Sequence, residues 1–160
     1  MIITQKELKE TVHYNPETGD WTHLRLNRLI KTTNVSGYLV IRINHKTYYA
    51  HRLAFLYMLN LLPEEHTDHI NGNKDDCRWD NLRLATIGQN LCNIGKPSHN
   101  TFGVKGVSYC KARNNLVCQV KHLKKLYSKY FSLGDEDKAI EWVRNKREQL
   151  HGEYTNHGLN

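Results

Sequence analysis

No stretch of this 160-residue chain approaches the ~18 to 20 apolar residues that a membrane-spanning helix needs, and Met1 to Leu8 holds no apolar run of signal-peptide length. The expectation is a protein that remains in the cytoplasm, without membrane contact. Cysteine is sparse: Cys77, Cys92, Cys110 and Cys118 lie 15, 18 and 8 residues apart, with no C-x-x-C pair to open a zinc site or a redox motif. Their spacing alone reads as free thiols in a reducing compartment, with no structural metal. No internal repeat appears, and low complexity is confined to the basic run His122 to Lys125.

Acidic residues are absent from one long segment. Residues 96 to 134 carry eight Lys and Arg and no Asp or Glu, whereas residues 1 to 95 balance 11 basic against 10 acidic side chains. A solvated face ordinarily mixes signs, so a one-signed segment points to a polyanionic partner. The whole chain agrees, with 23 basic and 16 acidic residues and a net charge of +7. Hydrophobic residues, at 39%, suffice for small cores rather than wholesale disorder.

Residues 95 to 103, G-K-P-S-H-N-T-F-G, have no apolar periodicity and read as the end of one domain and a linker, giving domains over 1–95 and 104–160 with 96–103 between them. In the first, Thr4 and Glu7 make a capping box for a short helix with Leu8 and Val12 on one side. Asn15 to Asp20 read as a turn. Tyr38 to Ile43 and Thr47 to Ala50, around Asn44 to Lys46, read as a hairpin, followed by an apolar helix from His51 to about Leu61, closed by Pro63. Beyond the linker the pattern is three short strands and one helix. Leu116, Cys118 and Val120 alternate with Val117, Gln119 and Lys121; a third strand spans about Leu126 to Phe131. Asp135 supplies an N-cap, Glu136 and Asp137 an acidic first turn, and Gly152 a stop. One helix on the apolar side of three strands is the economical packing.

The densest constellation of chemistry is Asp68-His-Ile-Asn-Gly through Asn81-Leu-Arg83, followed by Thr86-Ile-Gly-Gln-Asn90. Thr86 and Gln89 form a second capping-box pattern that starts a helix around Asn90. The ordered motifs D-H-I-N-G, N-L-R and the helical Asn resemble the HNH endonuclease family, in its Asn-ending subgroup. That resemblance implies an α+β fold in which a ββα-metal unit, a two-stranded ribbon and a helix, wraps one divalent metal. Carried onto this chain, it implies Asp68 and Asn90 as metal ligands, His69 as the base and Asn81 as a structural catalytic-site residue. Asn93, on the same helix face, is the competing ligand.

The residue types suit that chemistry. A phosphodiester repels hydroxide, so hydrolysis needs a base and a cation to stabilise charge on the phosphate and leaving oxygen. Imidazole titrates near neutrality and can take a proton from water, and the hard oxygens of Asp68 and Asn90 suit Mg²⁺ (or Mn²⁺). Asp68 and His69, as strand neighbours, can serve one site only if the strand ends there, which Gly72 favours. His69 is expected to face solvent. Asn81 is expected to hydrogen-bond backbone across the ribbon. Lys74, Asp75 and Asp76 read as a hydrated loop tip, and Asp76-Cys77-Arg78 departs from the D-N-R of many relatives.

His51-Arg52-Leu-Ala-Phe and Tyr14 to Trp21 resemble segments of phage members of that family, the first as a helix start with a phosphate contact as one reading. From Asn100 onward, N-T-F-G-V-K-G-V-S-Y, C-Q-V-K, Y-F and H-G-E-Y resemble the DNA-binding domain of plant ethylene-response transcription factors. That implies a sheet whose outer face meets double-stranded DNA. Strand parity puts Gln119, Lys121, Lys125 and Tyr127 on that face, with Lys111 and Arg113 in the preceding loop. Phe131 shares the parity of Tyr127 yet should be buried, so the third strand is expected to bulge or end early. The whole implies a monomeric, homing-type DNA endonuclease, cytoplasmic in its host if phage-encoded. The rival is a non-catalytic DNA-binding regulator on a degenerate nuclease scaffold.

Overall fold

The computed structural model describes residues 3–158, and packing divides the chain into two units after Thr86. Composition places the break at 95 to 103; packing assigns the helix around Asn90 and that linker-like stretch to the second unit.

The first unit opens on α1 (Gln5–Thr11), capped as predicted: the Thr4 hydroxyl accepts from the Glu7 N–H and the Glu7 carboxylate accepts from the Thr4 N–H at 2.8 Å. Val12 does not extend the helix. It is buried at the start of β1 (Val12–Tyr14), which pairs antiparallel with β2 (Trp21–His23), itself paired with β3 (Arg28–Leu29). The turn between β1 and β2 needs its glycine. Gly19 has φ +77°, and a Cβ there would sit 2.5 Å from the backbone nitrogen of Arg78.

A hairpin of β4 (Val40–Ile43) and β5 (Lys46–Tyr49) follows, with Ile41 and Ile43 buried and Arg42 exposed. Its turn is tighter than the three residues read from sequence. Asn44 and His45, both left-handed, form a two-residue connection whose twist matches the strands. Helix α2 (Ala50–Leu59) stops at left-handed Asn60, whose N–H bonds Leu56, before Pro63 is reached. Leu8, Val12, Tyr14, Trp21, Ile41, Leu53 and Phe55 share one core, with the Tyr14 and Trp21 rings stacked at 4.5 Å. Strands β6 (His66–His69) and β7 (Leu82–Ala85) then form an antiparallel ribbon, with His69 opposite Leu82 and Asp68 opposite Arg83.

The second unit begins with α3 (Ile87–Cys92), directly after Thr86. Strands β8 (Val107–Cys110), β9 (Asn115–His122) and β10 (Lys125–Ser132) form an antiparallel meander with β9 central, and α4 (Glu136–His151) packs on it. As predicted, Leu116, Cys118 and Val120 are buried, here with Val107, Ala139 and Val143. The helix ends at Gly152 as the sequence predicts. Its start differs: Asp135 occupies the N-cap position but ion-pairs Lys138 at 2.6 Å instead of capping. Among the described residues no helix is long and apolar enough to cross a membrane.

Candidate active site and nucleic-acid interface

Strand β6 ends at His69, where the chain turns back: the Gly72 N–H reaches the His69 carbonyl at 2.8 Å, and Gly72 is left-handed at φ +74°. This is the strand ending that the D-H pair requires. Asn81, at the foot of β7, locks the connection. Its Oδ1 accepts from the Asn71 N–H at 3.0 Å, and its Nδ2 donates to Asn71 Oδ1 at 3.0 Å and to the Asp76 carbonyl at 2.8 Å. A backbone bond from Ile70 N–H to the Asn81 carbonyl completes the clamp. The bracing expected of Asn81 is therefore visible in its hydrogen bonds.

One expectation for this loop needs correction. Asp76 is not only a hydrated tip: it accepts from Asn71 Nδ2 and ion-pairs Arg78 at 2.7 Å. The Arg78 hydrogen bond, against a smaller opposing burial, holds its carboxyl down to about 2. Cys77 is buried, and its carbonyl accepts the Tyr14 hydroxyl at 2.6 Å, tying the loop to the core.

Asp68 is 5% exposed and His69 4%, so the imidazole is not solvent-facing in the chain by itself. Arg83, across the ribbon, places Nε at 3.0 Å and Nη2 at 2.8 Å from Asp68 Oδ2. A guanidinium fork of this kind fixes the orientation of the carboxylate, whose hard oxygens suit a divalent cation. The donor chemistry at Asp68 therefore fits such a metal.

Burial lowers the His69 imidazole below its ordinary range, partly opposed by the nearby charges of Asp68, Asp76 and Asp75. A lowered histidine is neutral at physiological pH and ready to accept a proton. Its ring lies edge-on to that of His51, with centroids 4.9 Å apart, and 6.0 Å from Tyr38. His51 is only 6% exposed at the start of α2, stacked on Tyr49 at 5.4 Å. Burial first, then His69 and Arg52, push it down to about 3. Buried His51 is thus not a surface phosphate contact, and the Arg52 guanidinium beside it is held by the Pro63 carbonyl.

Asn90 lies half-buried on α3, in the second unit. Asn93, just beyond the helix, is buried, and its carbonyl and Oδ1 both accept from Asn156 Nδ2, at 2.8 and 3.2 Å. That engagement leaves Asn90 the better helical candidate. The sequence motifs include Arg83 and His51 without giving either a role beside Asp68 or His69; the ribbon register and the start of α2 bring them there.

On the sheet of the second unit, Gln119 and Lys121 are exposed and alternate with buried Cys118 and Val120, as parity predicts. Lys111 and Arg113 form a single helical turn after β8, with the Arg113 guanidinium 5.5 Å from the Tyr130 ring centre. Lys125 and Tyr127 are a correction. Tyr127 pairs with Val120 and Lys125 with His122, so both lie on the α4 side, and Lys146 of α4 sits 5.1 Å over the Tyr127 ring. Residues paired across antiparallel strands share a face. The outer face of β10 is instead Leu126, Ser128 and Tyr130. Phe131 pairs with Leu116 on the α4 side without any bulge, because Tyr127 faces the helix too.

Compared with known proteins, residues 48–91 match the family model described as HNH endonuclease. The chain is also 36% identical over 87 residues to Protein 3.8 of Escherichia phage T7, a match covering 54% of this chain and 70% of that protein. The chain belongs to the HNH endonuclease family. No solved structure matches it. The HNH segment runs from Tyr48 in β5 to Leu91 in α3, and so takes in His51, Asp68, His69, Asn81, Arg83 and Asn90. The competing ligand Asn93 falls just outside it.

Proposed function

We propose that this HNH protein is a DNA endonuclease that hydrolyses one phosphodiester at a time, with His69 as the general base. The observation that carries the reading is the state of His69. It ends β6 inside the family-matched segment, beside an ion-paired carboxylate, buried and depressed below its ordinary range. His69 takes the proton from the attacking water, Asn81 holds the loop that fixes the imidazole, and Arg83 orients the Asp68 carboxylate. Asp68 and Asn90 are the residues that would hold Mg²⁺ (or Mn²⁺); such an ion stabilises negative charge on the phosphate and the leaving oxygen. The products would be a 5′-phosphate and a 3′-hydroxyl.

Double-stranded DNA is the substrate this reading requires, and the basic second unit is its natural docking surface. Gln119, Lys121, Lys111 and Arg113 supply donors for bases and phosphates, and Tyr130, with Arg113 over its ring, joins them on the outer face. The one-signed charge of residues 96 to 134 supports the DNA partner, and the resemblance to phage members is the ground for reading a homing-type, monomeric enzyme of the host cytoplasm. In functional terms, residues 1–95 form the nuclease domain and 104–160 the locating module.

A supercoiled-plasmid nicking assay tests the proposal. Wild type should convert plasmid to open circle in Mg²⁺ or Mn²⁺ and be silenced by EDTA. Binding without cleavage in either metal would leave the non-catalytic DNA-binding regulator as the better description.

A further inference from the structure

One group of side chains in the second unit has no part in the nuclease chemistry. Cys92 Sγ and one ring nitrogen each from His122 and His151 lie within 4.8 Å of one another. They come from three separate elements, the end of α3, the end of β9 and the end of α4. The two imidazoles are stacked, with centroids 5.5 Å apart. His151 Nε2 lies 3.1 Å from the Lys121 carbonyl. A carbonyl only accepts, so Nε2 carries the proton and Nδ1 keeps the lone pair. Nδ1 of His151 and Nδ1 of His122 are both buried with no hydrogen-bond partner among the described residues.

Two orphaned imidazole nitrogens beside a thiol are costly to bury unless something fills the space between them. The surroundings are those of a metal ligand set. A ring N–H donated to a backbone carbonyl fixes the tautomer and aims the other nitrogen at the metal, as it does in most histidine metal sites. Tetrahedral zinc spaces its nitrogen and sulfur donors by roughly 3.5 Å, so a contraction of about an ångström, within side-chain rotation, closes the set. Thiolate with imidazole selects Zn²⁺ over Mg²⁺, which prefers oxygens throughout.

We propose that Cys92, His122 and His151 form a zinc site in the second unit, with a water or other exogenous ligand in the fourth position. The ion replaces the proton of the Cys92 thiol, which is released to solvent. Burial raises that thiol, and the Lys105 ammonium, bonded to the carbonyls of Cys92, Ile94 and Asn156, pulls it back toward the thiolate. Burial also keeps His151 below its ordinary range and so unprotonated at neutral pH. Within this unit the ion fastens the end of α3, two residues past Asn90, to the sheet and to α4. The site stands apart from the nuclease reading and would hold in a non-catalytic protein.

The test uses the full-length protein and added metal alone. After EDTA treatment and its removal, titration with Co²⁺ should give one equivalent bound with an intense thiolate-to-cobalt charge-transfer band, displaced by Zn²⁺. An ion held by Asp68 and Asn90 has no sulfur ligand and cannot produce that band. Cys92→Ser should abolish it, His122→Gln or His151→Gln should weaken Zn²⁺ binding by roughly tenfold or more, and Cys110→Ser should leave both intact. Zn²⁺ should also slow alkylation of Cys92 in the wild-type chain. No thiolate band in wild type, or a band that survives Cys92→Ser, overturns the proposal.

Discussion

The imidazoles of His51 and His69 meet edge to face at 4.9 Å, both buried, one at the start of α2 and the other at the end of β6. Two adjacent histidines in low dielectric cannot both be charged without large cost. His51, held down to about 3, is the one that stays neutral, so His69 is free to cycle its proton beside an uncharged neighbour.

The same pair makes the fold acid-sensitive. A free imidazole protonates below about pH 6.5, whereas folded His51 resists down to about 3. Between those values the unfolded chain binds more protons, so stability rises with pH and is lost on acidification. His69 is shifted in the same direction and adds to the loss. From His51 alone the expected decrease between pH 8 and pH 5 is about 2 kcal/mol. Urea denaturation in EDTA at the two pH values should show it. His51→Phe, which keeps the ring packing, should remove most of the difference; identical pH slopes in the two proteins would show that His51 does not titrate on unfolding.

His69→Ala should cut plasmid nicking by about 10² to 10⁴ while DNA binding persists, because general-base assistance contributes on that scale. A gel-shift titration run beside the nicking assay separates the two. Full cleavage by the variant in Mg²⁺ would remove His69 from the chemistry.

Asn81 makes three hydrogen bonds across the ribbon loop and touches no other proposed catalytic group through them. Asn81→Ala should cost about 1 to 3 kcal/mol, the range for stripping partners from buried polar groups, measured as a shift in urea midpoint at unchanged slope. Activity should fall as well, because the loop that follows His69 loses its brace.

Much of this arrangement was legible in the sequence, for local reasons. The Thr4–Glu7 capping box, the alternation of Leu116, Cys118 and Val120, the stop at Gly152 and the bracing by Asn81 all follow from chemistry within a few residues or one ribbon. What stayed hidden depends on register and turn length. Leu123 and Lys124, both left-handed, make a two-residue turn that pairs His122 with Lys125. That single fact puts Lys125, Tyr127 and Phe131 on the α4 side and ends the need for a bulge. A one-residue change in register exchanges the faces of a strand, and side-chain alternation alone cannot reveal it. The same register carries His122 toward His151, which cysteine spacing could not announce. Arg83 meets Asp68 only because β6 and β7 pair as they do.

Opposite faces of β9 and β10 give a direct test of the DNA-binding surface. Lys121→Ala should weaken DNA binding and lower the slope of log K against log salt by about one, the signature of one lost phosphate contact. Lys125→Ala, on the α4 side, should leave the slope unchanged. The reverse pattern in a filter-binding series would place the footprint on the other side of the sheet.

The Arg83–Asp68 pair permits a sharper test, because its two members have different proposed roles. Asp68 is a proposed metal ligand, whereas Arg83 acts on it through a two-pronged hydrogen bond to one oxygen. Breaking a buried ion pair from one side costs about 3 to 5 kcal/mol, so Arg83→Met should destabilise the protein by about 3 kcal/mol in EDTA. The double variant Asp68→Asn with Arg83→Met should recover part of that, since the unbalanced charge is gone. Mg²⁺ should then distinguish the two: it should restore stability to Arg83→Met, where the carboxylate remains to be neutralised, and do little for the double variant. Equal responses of both proteins to Mg²⁺ would show that Asp68 is not a ligand.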